Sequence, residues 1–460
     1  MSRPSLPATS STLKETYRRR LPWLYLGFGA VVILLSGASR ADTQLTAADA
    51  RASALEFNRG YLSAREEVNK ARGDIGIARA GAFPEITLNG GYARNFEIAS
   101  LFIPTDEGIM EWRTGFENSF SASLSLRQPL WEGGKVYTAY SVAKQYKRYS
   151  EAMTDEVAQA VVCNAELLFY SAILEKARLA VLNQAYETYT HNLEVVEKFY
   201  SQGLVSRFEL LRARVEQSNL KPQILEAESQ VRLSEKRLKS FIGLALDEAI
   251  HLVEELDDTS LADLPPLQTF VDSALAARPE MRQAELYSDM RRKAVTVARA
   301  GYFPSLSAVS TYSWQSQADE FTLRKNTSKS WTTGIDLTVP IFDGGLTRGE
   351  VGKARAEHRQ SQLAALQLRD DIMLEVEHAY DRLLQAREAL DTQGETIAEA
   401  EEGVRIAKLR YEAGEGTLLE ILSAQTALTQ AGTALAEATF AFRSARASLE
   451  KATTVDIDAE

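Results

Sequence analysis

The stretch Ala78-Arg79-Ala80-Gly81-Ala82-Phe83-Pro84 closes a helical run and opens a segment in which apolar and polar residues alternate. A second alternating segment ends at Gln128-Pro129-Leu130-Trp131-Glu132-Gly133-Gly134, after which a helical pattern resumes. Both borders return later, as Ala298-Arg299-Ala300-Gly301-Tyr302-Phe303-Pro304 and as Val339-Pro340-Ile341-Phe342-Asp343-Gly344-Gly345. Repetition at both borders marks an internal duplication. Each copy reads as a helix, two strands and a long helix. The strand–helix turns are marked by Pro84, Pro129, Gly133 and Gly134 in the first copy and by Pro304, Pro340, Gly344 and Gly345 in the second.

The alternation identifies the two faces of the strands, expected at 83–97, 116–130, 303–316 and 330–341. Ile86, Leu88 and Tyr92 alternate with Thr87, Asn89 and Gly91. Phe120, Ala122, Leu124 and Leu126 alternate with Ser119, Ser121, Ser123 and Ser125, and Trp331, Ile335, Leu337 and Val339 with Thr332, Asp336 and Thr338. A period of two puts apolar side chains on one face and small polar ones on the other. A soluble sheet with that pattern needs a covering layer, and the flanking helices are far too long to supply one. Strands of about 10 residues with aromatic ends fit a membrane barrel, lipid outside and water inside. Four strands cannot close, because bilayer barrels need about eight or more and open edges are not tolerated in hydrocarbon. Other copies of the chain must complete the barrel. Two copies would give about eight strands and a filled interior, three about twelve and a pore; the residues leave both open.

A net charge of −11 speaks against a nucleic-acid partner. With 12 prolines and 26 glycines in 460 residues, long Ala/Leu/Glu/Arg-rich runs go unbroken. The single cysteine, Cys163, sits in such a run as a small apolar residue and excludes an intramolecular disulfide. His191, His251, His358 and His378 lack metal-ligand spacing, and no cofactor is expected. Residues 1–41 read as a signal peptide rather than a retained anchor. Arg18-Arg19-Arg20 precede the apolar run Leu21 to Leu35, which is short for a spanning helix, and Ser39-Arg40-Ala41 offers a cleavage site before Asp42.

From Thr46 to Gly81 the pattern is helical. Ser100 to Arg113, with Pro104-Thr105-Asp106-Glu107-Gly108, reads as an outward loop between strands. Lys135 to Gln202 holds no proline and could reach on the order of 100 Å as a helix, a coiled-coil shaft rather than a globular core. Gly203-Leu204-Val205-Ser206 breaks it, and Arg207 to Ser240 returns. Phe241 to Phe270 is an irregular interlude, and Arg278-Pro279-Glu280 fits the first turn of the next helix. The second long helix, Leu346 to Ala413, turns at Gly414-Glu415-Gly416-Thr417 and returns to Lys451. The expected division is 42–270 and 271–452 as two structural repeats, with 453–460 a disordered tail, acidic from Asp456. Two hairpin tips thus point away from the barrel. Phe199-Tyr200-Ser201-Gln202-Gly203 matches Arg410-Tyr411-Glu412-Ala413-Gly414, and Glu209-Leu210-Leu211-Arg212-Ala213 matches Glu420-Ile421-Leu422-Ser423-Ala424.

On these residues the chain resembles the TolC-like outer-membrane efflux proteins. The resemblance rests on the Phe-Pro strand openings, the Pro-apolar-x-Gly-Gly strand exits, Arg278-Pro279-Glu280, and the Tyr-x-x-Gly tips followed by Leu422 to Gln425. It spans nearly all of 45–450. It implies a mainly α fold with a membrane β-barrel: a homotrimer whose twelve strands sit in outer-membrane lipid and continue into a periplasmic helical barrel. It also implies a periplasmic adaptor and an inner-membrane pump or ABC exporter as partners, with the tips as the adaptor's docking points. The family closes its periplasmic end with inward carboxylates after the second tip. Glu420 takes the first such position, Ser423 stands where the second would be, and Gly416 replaces TolC's arginine, so the lock to Glu209 is expected to be missing. The alternative for Glu209 and Glu420 is two solvated helix-face charges.

No catalytic constellation accompanies this. Gly133-Gly134-Lys135 lacks phosphate-loop spacing, and its repeat partner Gly344-Gly345-Leu346 lacks the lysine. Asp370-Asp371, Glu375 and Glu377 have no histidine or serine partner. The chain reads as a passive exit duct of a tripartite efflux pump or type I secretion system, not an enzyme. The alternative is a non-conducting periplasm-spanning scaffold or adhesin.

Overall fold

A computed structural model describes residues 43–106, 108–253 and 264–455. The expected signal peptide and residues 456–460 of the expected tail lie outside the described residues. The first half runs β1 (Thr43–Leu45), α1 (Ala47–Phe57), α2 (Arg59–Ala80), β2 (Glu85–Arg94), β3 (Ser100–Thr105), β4 (Gly108–Arg113), β5 (Asn118–Glu132), α3 (Lys135–Ser201), α4 (Arg207–Ile242) and β6 (Ile250–Leu252). The second runs α5 (Leu267–Ala277), α6 (Pro279–Arg299), β7 (Ser305–Ala318), β8 (Thr327–Thr338), α7 (Leu346–Glu412) and α8 (Leu418–Thr453). Both long helices, α3 and α7, have 67 residues, and both return helices, α4 and α8, have 36. At 1.5 Å per residue the long ones extend about 100 Å.

The four expected strands form one antiparallel sheet in the order β2-β5-β7-β8. Its register keeps the faces separate. Ile86 lies opposite Leu126, Leu124 opposite Tyr312, and Tyr312 opposite Trp331, whereas Asn89 lies opposite Ser123 and Thr311 opposite Thr332. One face is therefore apolar and solvent-accessible in the single chain, with Leu88, Trp331, Ile335 and Leu337 all exposed. A sheet bearing such a face in water would be an aggregation site; in a bilayer it is the lipid surface. Tyr92, Phe120 and Phe321 cluster at the loop end, with ring centroids 4.9 to 5.4 Å apart, as in an aromatic girdle.

Three elements depart from the sequence reading. The outward loop is itself a hairpin, β3 on β4, with Leu101 opposite Trp112 and Ile103 opposite Met110. Pro104 is tolerated there because a two-stranded ribbon is all edge. The single helix expected from Thr46 to Gly81 is broken at Asn58, whose Oδ1 accepts from the amides of Gly60 and Tyr61 while its Nδ2 donates to the Phe241 carbonyl. The interlude from Phe241 contains β6, which pairs with β1. In addition, α8 continues through the buried Thr453, two residues past its expected end at Lys451 and into the expected tail.

Each short helix seats on its own hairpin. Ala50 and Ala54 of α1 meet Val161, Phe169, Leu238 and Ile242; Phe270 and Ala274 of α5 meet Ile372, Val376, Phe442 and Leu449. Pro279 opens α6 at its first position, where a missing N–H costs nothing. Beside it Arg278, 5% exposed, bridges Glu280 at 2.7 Å and Glu375 of α7 at 2.6 Å. That triad clamps the second repeat where its short and long helices meet.

Candidate functional site: the helical tips and the strand–helix turns

Both hairpin tips are built by the same local chemistry. At the first, the Gly203 amide donates to the Tyr200 carbonyl at 3.0 Å and the Leu204 amide to the Phe199 carbonyl at 2.9 Å. At the second, Gly414 donates to Tyr411 at 3.0 Å and Glu415 to Arg410 at 2.9 Å. These are paired Schellman closures, which require a left-handed residue after the helix; Gly203 has φ +76 and Gly414 φ +77. Ser206 and Thr417 then cap α4 and α8, their hydroxyl oxygens accepting from the Glu209 and Glu420 amides at 3.3 Å. Leu204 stands exposed between glycine and cap, with Val205 partly buried. Gly416 is confined for another reason: a Cβ there would lie 3.0 Å from the Tyr411 nitrogen.

The two tips are joined sideways. Leu418 and Leu422 of α8 are buried with Val196 of α3 and Leu210 of α4, with Val205 and Tyr411 against them. Phe199 and Tyr411 place their rings 6.0 Å apart. Burial, and then the charge of Glu209, push the Tyr411 phenol up.

Glu209 and Glu420 occupy equivalent places in the first turns of α4 and α8, where a carboxylate complements the positive end of the helix dipole. Of the two, Glu420 has an ion partner among the described residues: Arg410 Nη1 lies 3.1 Å from its Oε2. Ser423, one turn on, is exposed. The pairing of Arg410 with Glu420 is what reading the sequence leaves out. Its signal was available, since Arg410 stands in the last turn of α7 across a short turn from the acid. No side chain at Gly416 is needed to bring an arginine to Glu420; it comes from the end of the preceding helix.

At the other end, the strand–helix turns carry consecutive left-handed glycines, Gly133 and Gly134 at φ +60 and +80, Gly344 and Gly345 at φ +66 and +88. Pro84 and Pro304 stand just before β2 and β7, Pro340 just after β8, and Pro129 at a register shift within β5. The Asp343 carboxylate accepts from the Gly345 and Thr347 amides at 2.9 and 2.8 Å, capping α7; the Thr347 side chain first, and then these amides, hold it below the usual carboxylate range.

The chain as a whole resembles known proteins. The chain is 25% identical over 401 residues to nodulation protein T of Rhizobium leguminosarum bv. trifolii, covering 83% of this chain and 79% of that one. It is 22% identical over 437 residues to the alkaline protease secretion protein AprF of Pseudomonas aeruginosa, covering 94% and 88%. The crystal structure of the Campylobacter jejuni CmeC outer membrane channel superimposes with a TM-score of 0.74 at 20% identity, over 89% of this chain and 87% of that one. The fold is thus that of the TolC-like channels. A model of the outer membrane efflux protein family matches residues 41–244 and 270–454, most of the chain, and the chain belongs to that family.

Proposed function

We propose that three copies of this chain form one outer-membrane duct, the exit of a tripartite efflux pump or a type I secretion system. The observation that carries the reading is the four-stranded sheet with two unpaired edges, β2 and β8. It is apolar on one face and polar on the other, and it is joined directly to helices of about 100 Å. Unpaired strand edges cost several kcal/mol per backbone group in hydrocarbon, so copies must close the ring. Three copies supply twelve strands and a water-filled lumen lined by the serine and threonine face. The duct is passive, since the family is one of transport proteins and energy enters through partners: a periplasmic adaptor and an inner-membrane pump or ABC exporter.

The matched tips, Gly203 to Ser206 and Gly414 to Thr417, serve as repeated docking points for the adaptor, and Glu420 forms the narrow ring of the closed end. Repeats 42–270 and 271–452 give the trimer six quasi-equivalent hairpins. AprF, a protein of alkaline protease secretion, supports polypeptides as one cargo class of such a duct. The genes beside this one would name the inner-membrane machine and hence the class.

Crosslinking of outer-membrane fractions should give a trimer ladder, and purified protein in planar bilayers should give discrete conductance steps. A stable monomer would overturn the assembly. An assembled trimer that passes no current would favour the scaffold reading instead, in which the barrel is filled.

A further inference from the structure

Helix α8 carries one straight stripe, Gln425, Thr429, Gly432, Ala436, Phe440 and Arg443, at the three- and four-residue spacing of a single helix face. Tyr189 meets Thr426 at one end of that stripe and Arg443 lies over the Tyr170 ring at the other, so α8 runs antiparallel to α3. Between the two helices lies a trench in two parts. The part nearer the tips is a polar cavity of about 90 Å³ beside Thr188, Tyr189, Glu401, Gln425 and Thr429. The part nearer the barrel is a slot of about 320 Å³ with Ile173, Leu174, Ala177, Leu435, Ala436 and Phe440 along its walls. Val181, Gly432 and Ile397 of α7 line both, so cavity and slot adjoin. A Cβ on Gly432 would lie 3.2 and 3.3 Å from the Val181 methyls, which is why the helices come this close only at a glycine.

Gln425 is the anomaly of the trench. It is 3% exposed, and neither its side-chain oxygen nor its nitrogen has a hydrogen-bond partner among the described residues. Exchanging the two atoms would satisfy neither. The neighbouring hydroxyls are engaged elsewhere: those of Thr188, Thr426 and Thr429 donate to the carbonyls of Gln184, Leu422 and Gln425 in their own helices. Buried amides without partners are costly and rare. The duplication does not account for this one. Counting from the matched Glu209 and Glu420, the first repeat has Arg214 in place of Gln425 and Lys221 in place of Gly432, and Arg214 pairs with Glu197 at 2.7 Å.

We propose that the trench binds one small neutral amphiphile per chain, a carboxamide with a short hydrocarbon tail, its head on Gln425 and its tail in the slot. A primary amide both donates and accepts, so a carboxamide head answers the two orphaned atoms together. The exposed carboxylate of Glu401 beside the cavity disfavours an anionic head. The slot is at the small end of ligand pockets and mostly apolar, which suits a tail of limited bulk. Water would answer the amide alone, since an ordered water needs two to four polar partners and the apolar walls of the slot offer none. Every lining residue belongs to one chain, so the site does not depend on how many copies close the duct.

Binding of radiolabelled octanamide to the membrane protein in lipid nanodiscs, with lipid-only discs subtracted, tests the site. Saturable binding of one octanamide per chain is expected. N,N-dimethyloctanamide, which cannot donate, and octanoate, which is anionic, should bind at least fivefold more weakly, a comparison that needs no variant. Gln425→Leu should weaken octanamide binding at least tenfold without lowering the melting temperature, because it exchanges an unpartnered amide for an apolar group of similar size. Ala436→Leu, which fills the slot, should weaken it as much. Equal binding by wild type and Gln425→Leu, or equal binding of the three ligands, would overturn the head site. Unchanged binding by Ala436→Leu would overturn the slot. No saturable binding above lipid-only discs would mean that the cavity takes water alone, and the proposal would fall.

Discussion

Arg410 and Glu420 face each other across the tip of the second hairpin, 3.1 Å apart, one on the last turn of α7 and the other on the first turn of α8. The pair ties the acid to its own chain, so in the proposed trimer a ring of three such carboxylates would carry three arginines behind it. Both side chains are about half exposed, and such a pair is worth about 0.2–1 kcal/mol, less at high salt. It can therefore open on a small bias.

That pairing sets the sign of two substitutions in single-channel recordings. Glu420→Ala should lower cation selectivity and weaken any block by divalent ions added from the tip side, since charged rings set a pore's preference. Arg410→Ala should raise cation selectivity by unmasking the carboxylates. Glu209→Ala should leave both quantities near wild type. If Glu209→Ala moves them and Glu420→Ala does not, the ring lies on the other hairpin.

The tips give a second prediction. A left-handed backbone costs an L-residue about 1–2 kcal/mol and is closed to proline, whose φ is fixed near −65°. Gly203→Pro and Gly414→Pro should abolish export while the trimer in the outer membrane persists, because the barrel lies at the far end of the helices. Gly203→Ala should only weaken export. Normal export by both proline variants, scored by efflux-dependent resistance or secretion, would show that the adaptor does not dock there.

The parts legible in the sequence were those set by local chemistry. Alternation around Leu124 and Ile335 gave the strands, Gly-Gly pairs gave the turns, and Gly203 and Gly414 with Ser206 and Thr417 gave the tips, because capping and left-handed turns are read over a handful of residues. The break at Asn58 was hidden because half of its reason is the Phe241 carbonyl, far along the chain. The β3–β4 hairpin was masked by Pro104 and Gly108, which mark a turn but also fit a ribbon with free edges on both sides. The pairing of Arg410 escaped notice because a charge on a helix face has no pattern of its own; only the turn geometry brings it to Glu420.

Cys163 offers a probe of the shaft. Its side chain is buried in α3, and burial pushes the thiol up to about 11. The reactive thiolate is then scarce near neutral pH. Modification by a maleimide at pH 7.5 should be at least tenfold slower in the folded trimer than in denatured chain. Rapid labelling of the native protein would mean that α3 opens locally on the experimental timescale.

The clamp at Arg278 makes the sharpest stability prediction. Its guanidinium is nearly inaccessible and holds Glu280 and Glu375 together, joining residues 97 apart in sequence. For Glu280, burial is the largest single influence and raises the carboxyl, but the hydrogen bonds and charge of Arg278, the Glu280 backbone amide and the charge of Lys451 together lower it further, so the folded value lies below the ordinary 4.5. A depressed carboxyl stabilises the fold above its unfolded value, and that contribution is lost as pH falls through the folded value. Arg278→Ala removes the lowering partner and leaves the burial, so Glu280 should shift above 4.5 and the sign should reverse. Breaking a buried pair costs about 3–5 kcal/mol, and the half-exposed Glu375 places this one near the lower end. The variant should therefore melt well below wild type at pH 7, and the gap should narrow as pH is lowered from 7 to 4.5, because the variant regains stability as its Glu280 takes up a proton. The wild type loses its contribution only below 4.5, as pH falls through the depressed folded value. Arg278→Ala/Glu280→Gln should recover part of the loss at pH 7, since no buried charge is then left unpaired. A gap that stays constant between pH 7 and 4.5 would show that Arg278 acts through packing alone and that its charge does not hold Glu280.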